Sequence, residues 1–187
     1  MVIHRPTHPS LRLALSRGGD RLSGPLARRL DDRFHYLRRV PAGGKEPIDA
    51  VVVGPGGTWA LTLRAGAGRY RKRNGHWYHW SAATESWIPW DAAPITTARL
   101  AGRRLEMYLE RATLPSTVTA CLVAPRRVEI EWDPGQRPGV QVIRDLDLLA
   151  TRVAGGGQLS KGQIDRIVAL LDPRQRLPGL AKAVRAG

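Results

Sequence analysis

The sequence predicts an α/β domain with a mixed central sheet flanked by helices, and three observations lead there. Short β-branched runs bounded by Gly and Pro turns recur between residues 35 and 143. Segments with helical apolar spacing stand before, between and after them. At 187 residues the chain is long enough for one hydrophobic core. The expected organisation is a basic, poorly ordered arm over 1–20, one domain over 21–171 and a loose basic tail over 172–187.

Each element has its own signal. A first helix is expected from Ser23 to Phe34, with Ser23 as N-cap and Pro25 in the first turn. Leu22, Leu26, Leu30 and Phe34 give it an apolar stripe. A strand follows from His35 to Val40, then a glycine-containing loop. Ile48–Arg64 (IDAVVVGPGGTWALTLR) reads as a hairpin closed by the four turn residues Gly54, Pro55, Gly56 and Gly57. In that register Val53 pairs with Thr58, and Asp49 comes opposite Thr62. Arg64 lies one diagonal step away.

A second hairpin is expected over 69–80. Asn74-Gly75 is a type I′ turn signal, and the flanking strands are basic and aromatic. Residues 81–93, with Trp87 and Trp90, read as loop. Pro94 opens a helix reaching about Arg111, with Ile95, Leu100, Leu105 and Leu109 toward the sheet. Residues 116–123 read as an internal strand. Two shorter strands, 128–132 and 140–143, flank a turn at Pro134-Gly135. A helix over 146–153 ends at Gly155–Gly157, and Ser160 caps a last helix from Lys161 to Leu171.

The charge is the strongest compositional signal. Lys and Arg number 30 against 16 acids, for a formal net charge of +14. The computed pI is about 11.3. Only Lys45, Lys72, Lys161 and Lys182 are lysines, so arginine dominates. Such a balance favours an anionic partner, with nucleic acid the usual one. A solvated basic surface is the alternative reading. The single cysteine, Cys121, excludes an intrachain disulfide and reads as a buried core thiol. No apolar run approaches the ~20 residues of a membrane span, and no signal peptide is recognisable. A cytoplasmic protein without a membrane partner is expected.

The Ile48–Arg64 stretch resembles the NERD (nuclease-related domain) family of the restriction-endonuclease-like PD-(D/E)xK superfamily. The family pattern runs I-D-H-V-V-V-G-P-G-G, then apolar residues, then E-x-K. Ile48, Asp49, Val51, Val52, Val53, Gly54, Pro55, Gly56 and Gly57 match it without a gap. Leu159 to Ile164 (Leu-Ser-x-x-Gln-Ile) is a weaker match. The resemblance covers about residues 23–171, densely only in the hairpin, and implies an αβββαβ core, here with an extra β-hairpin. It also implies a catalytic Asp-Glu-Lys set, whose positions here hold Asp49, Thr62 and Arg64. The acid that the family's first helix often carries is replaced by Pro25.

Metal-dependent cleavage needs a cation held by one or two carboxylates beside the scissile phosphate. Here only Asp49 remains as a metal ligand. Thr62 is a neutral, weak donor, and Arg64 keeps a charge that cannot be given up near neutral pH. An Asp49–Arg64 ion pair is one outcome of that arrangement. The expectation is a nucleic-acid-binding, nuclease-related protein with degraded or absent cleavage, a pseudo-enzyme with no cofactor. Candidate nucleic-acid contacts are Arg69, Arg71, Lys72, Arg73, Trp77, Arg99 and Arg103. The second hairpin either stacks on bases or is an amphipathic hairpin with one solvated basic face. Two alternatives stay open. One is an active Mg²⁺-dependent nuclease whose second acid has moved to Glu46, Asp20, Asp31 or Glu85. The other is a non-catalytic protein-interaction domain.

Overall fold

A computed structural model describes residues 1–4, 22–135 and 139–172. Most of the arm expected over 1–20, including Asp20, and the tail beyond Asp172 lie outside them. The described part is α/β, with two mixed sheets and flanking helices. Its strands are β1 (Val2–His4), β2 (His35–Val40), β3 (Ile48–Gly54), β4 (Gly57–Leu63), β5 (Gly68–Arg73), β6 (His76–Ser81), β7 (Ser86–Pro89), β8 (Val118–Val123), β9 (Val128–Glu131) and β10 (Gln141–Ile143). Its helices are α1 (Ser23–Ala27), α2 (Pro94–Arg111), α3 (Leu146–Ala154) and α4 (Lys161–Leu171).

The larger sheet has the order β1-β2-β3-β4-β8-β10. β2, β3 and β4 are antiparallel neighbours, whereas β4, β8 and β10 run parallel. β3 and β4 are central, and their near-continuous apolar sequence follows from that position. Val51, Val53 and Ala60 pack under Ala101, Leu105 and Leu109 of α2 and Ile164, Ile167 and Val168 of α4. Ala50, Val52, Trp59 and Leu61 pack on the other face, with Leu26 of α1 and Leu149 of α3. Both faces are therefore covered, as parallel strands require. Each fully buried Val or Leu contributes about 1.5–3 kcal/mol here.

The hairpin register is the expected one, since Val53 pairs with Thr58. Its turn is tighter than expected. Gly54 and Gly57 pair with each other inside the strands, leaving Pro55-Gly56 as the turn. Gly57 has φ +113°, a region that disfavours side chains. Gly54 lies against the Phe34 ring, and Gly56 against the carbonyl oxygens of Val153 and Gly155 at the end of α3. The Pro55 carbonyl accepts from the Gln158 and Leu159 amides at 2.8 and 3.2 Å. The glycines thus allow close packing as well as the turn.

Several expectations need correction. The first helix spans only Ser23–Ala27, and Leu22 rather than Ser23 is its N-cap. Its stripe is nevertheless buried, because Leu30 and Phe34 enter the same core from the loop that follows. Residues 2–4 are not part of a loose arm; they form β1, parallel to β2. Leu100 is 60 % exposed rather than turned to the sheet. The two short strands on either side of Pro134-Gly135 form as expected but enter different sheets, β10 the large one and β9 the small one.

The extra hairpin is in fact half of a second sheet, ordered β7-β6-β5-β9. Asn74 and Gly75 both have positive φ, as a type I′ turn demands. The segment expected to be loop supplies β7, with Trp80 opposite Trp87. Tyr70, Val128 and Ile130 of this sheet pack with Leu122, Ile95 and Ala98. Ser160 caps α4 through a full capping box with Gln163, as its position implied.

Candidate functional site

The hairpin end that carries Asp49 is built by a break in alternation. Ala50 and Val52 belong to one core, yet Ile48 joins the core of Val51 and Val53 on the other side. Opposite this break, Arg39 in β2 has φ +53°, an uncommon conformation for a non-glycine residue. The paired residues Val40 and Ile48 resume beyond it. The β3–β4 ladder ends at Ala50 and Leu61. There the Asp49 side chain takes over a backbone role: Oδ2 accepts the Leu63 amide at 2.8 Å.

Thr62, at the position of the family's glutamate, is buried. Arg64 does not pair with Asp49. Its Nη2 donates to the Tyr70 hydroxyl at 3.1 Å, tying the end of β4 to the second sheet. The three positions that the resemblance singles out are therefore close in the chain path but differently engaged. Among the described acids proposed as replacements, Asp31 is held by Arg33, with contacts of 2.9 and 2.6 Å. That ion pair keeps the Asp31 carboxyl below its ordinary range and raises the Arg33 guanidinium above its own. Asp31 also lies just before β2, whose first residue pairs with Val53, so it stands at the far end of the hairpin from Asp49. Among the described residues no three His, Cys, Asp or Glu side chains gather as a metal-holding group.

The second sheet separates the predicted nucleic-acid contacts. Cross-strand partners share a face. The register places Arg71 opposite Tyr78, Arg73 opposite His76 and Trp80 opposite Trp87. Arg69, Arg71, Arg73, Tyr78, Trp80 and Trp87 thus form one face, bordered by Glu129 and Glu131 on β9. Tyr70, Lys72, Trp77 and His79 belong to the opposite face. There the rings of Tyr70 and His79 lie 5.4 Å apart, and Trp77 meets Trp132 edge-on at 5.2 Å. That face packs on the body of the protein. Lys72 and Trp77 are therefore not on the same face as the three arginines.

On the outer face Arg69 and Arg71 lie over aromatic rings. The Arg71 guanidinium is 4.3 Å from the Trp87 ring centre and 5.7 Å from that of Tyr78. Arg69 is 5.4 Å from Trp80 and 5.7 Å from Trp87. Trp80 and Trp87 contact each other edge-on at 5.5 Å. Arg69 also pairs with Glu129 at 3.0 Å. A guanidinium stacked on a ring keeps its in-plane N–H donors for hydrogen bonding. Tyr78 and Trp80 belong to the hairpin read from the sequence as a stacking candidate but are not among its named contacts, and Trp87 is read there as loop. The alternation in 69–73 and 76–80, folded about Asn74-Gly75, already places Arg69, Arg71, Tyr78 and Trp80 together. Trp87 was hidden by its short, proline-terminated strand.

Arg99 and Arg103 stand apart again, exposed on α2. They line a shallow groove of about 320 Å³ with Gly102, Val118, Ala120 and Gly139. Arg103 is paired with Glu106 at 3.1 Å. Cys121 lies in the core, where burial pushes its thiol up to about 12, so it is not a nucleophile at neutral pH. No described helix is long and apolar enough to cross a membrane. No family model matches the chain, and no curated protein or solved structure matches it either.

Proposed function

We propose that the chain is a NERD-like, nuclease-related domain that binds nucleic acid, with its metal-dependent cleavage degraded or lost. Support for the fold reading comes from the order α1-β2-β3-β4-α2-β8, with β4 parallel to β8, which is the order expected of a restriction-endonuclease-like αβββαβ core. The observation that carries the functional reading is the state of the three motif positions. Asp49 caps a backbone amide, Thr62 is a buried neutral side chain, and Arg64 is a permanent cation held by Tyr70.

That donor set does not fit Mg²⁺, which prefers carboxylates, waters and phosphate oxygens in octahedral array. One carboxylate with an oxygen already committed is a weak anchor. A neighbouring guanidinium opposes a second cation and attracts phosphate. The net charge of +14 provides the long-range attraction for a polyanion.

The test is incubation of the purified protein with plasmid, single-stranded DNA and RNA, with Mg²⁺ or Mn²⁺. The proposal expects binding and no cleavage above that of an Asp49→Ala control. Cleavage abolished by Asp49→Ala would overturn it in favour of an active nuclease with a rearranged site.

A further inference from the structure

We infer that the nucleic acid is single-stranded, and that it is held on the outer face of the second sheet by stacking on Tyr78, Trp80 and Trp87. The inference rests on the proposal of nucleic-acid binding and adds to it the ligand's strandedness and the surface that takes it. Three antiparallel strands contribute. β5 supplies Arg69, Arg71 and Arg73, β6 supplies Tyr78 and Trp80, and β7 supplies Trp87. None of these aromatic side chains is fully buried, although each has the ring area of a core residue. The inner face already anchors the sheet through Tyr70, Trp77 and Ile130, so packing leaves the outer aromatics without a core to fill.

The chemistry selects the ligand. A flat aromatic ring offers its face to any unstacked base, and sheets bearing such rings bind two or three bases at a time. In a duplex those base faces are already stacked on one another. Arg69 and Arg71 lie against these rings, and the N–H groups that the stacking leaves free meet the phosphates between stacked bases. Arg71 is the central cation, lying between Trp87 and Tyr78. Glu129 and Glu131 form an acidic border along β9. A single backbone crossing β5, β6 and β7 avoids that border, whereas the second backbone of a duplex is repelled by it.

The experiment compares a 12-nucleotide oligo-dT and oligo-rU with a 12-base-pair duplex, by anisotropy at low salt, on the full chain. Indole N–H resonances of the wild-type protein are followed alongside. The expected result is at least tenfold tighter binding of the single strands, with the Trp80 and Trp87 signals shifting and that of buried Trp59 unmoved. Trp80→Leu and Trp87→Leu should each weaken single-strand binding about five- to a hundredfold, whereas Trp80→Phe and Trp87→Phe keep most of it. Should the leucine variants unfold, the resonance shifts of the wild type decide. Duplex binding as tight as single-strand binding, or unmoved Trp80 and Trp87 signals on a bound strand, overturns the inference but leaves nucleic-acid binding intact. Absence of binding to any of the three ligands overturns both.

Discussion

Asp49 is the residue whose role the sequence and the structure describe most differently. Its position in the motif marks it as a metal ligand, yet its Oδ2 replaces a main-chain acceptor for the Leu63 amide. Leu63 is 41 % exposed, so water can partly replace that acceptor. Asp49→Ala should therefore cost about 1.5 kcal/mol, at the low end for a lost charge-assisted bond, and Asp49→Asn less. Urea denaturation of the three proteins checks this. Both substitutions also remove an anion from a basic end of the sheet, so nucleic-acid affinity should hold or rise. A fall in affinity would contradict a structural role for the carboxylate. Cys121 gives a second prediction at this scale. Burial holds its thiol near 12, so a thiol reagent at pH 8 should leave the native protein unmodified and label one thiol after denaturation. Rapid labelling of native protein would show that the core is open around it.

At the scale of elements, α2 lies close to β8 because residue 102 has no side chain. A methyl group at Gly102 would come 2.7 Å from the Ala120 Cβ. Helix propensity alone favours Gly102→Ala by about 1 kcal/mol. The clash, at about 1–3 kcal/mol, should outweigh that gain, for a net loss of up to about 2 kcal/mol, read as a lower thermal midpoint. A stabilised Gly102→Ala protein would mean that α2 can move off the sheet freely. Which elements were legible follows the same logic. The β3–β4 register, α2, α3 and the Ser160 cap of α4 were readable because turn residues, apolar spacing and caps are local. The length of α1 was misread because Leu30 and Phe34 continue its apolar stripe from a loop. β7 was missed because four residues ending in Pro89 look like loop until β6 is beside them.

For the whole molecule, the sequence foretold an α/β class but not two sheets. The assignment of β9 and β10 to different sheets depends on parallel pairing with β5 and β8, which no local pattern reveals. The candidate site was legible in the same partial way. The motif positions and the basic hairpin could be named, but the hairpin's contacts divide between two faces and Arg99 and Arg103 fall on a third surface. The attraction for a polyanion arises from the excess of arginine over the whole chain rather than from one cluster. Its most direct test is one titration of a labelled oligonucleotide across a salt series, in Mg²⁺ and in EDTA. The account predicts binding that weakens linearly in log affinity against log salt, is the same in EDTA as in Mg²⁺ of equal ionic strength, and leaves the oligonucleotide intact. Binding absent at low salt, or present only with Mg²⁺, would contradict it.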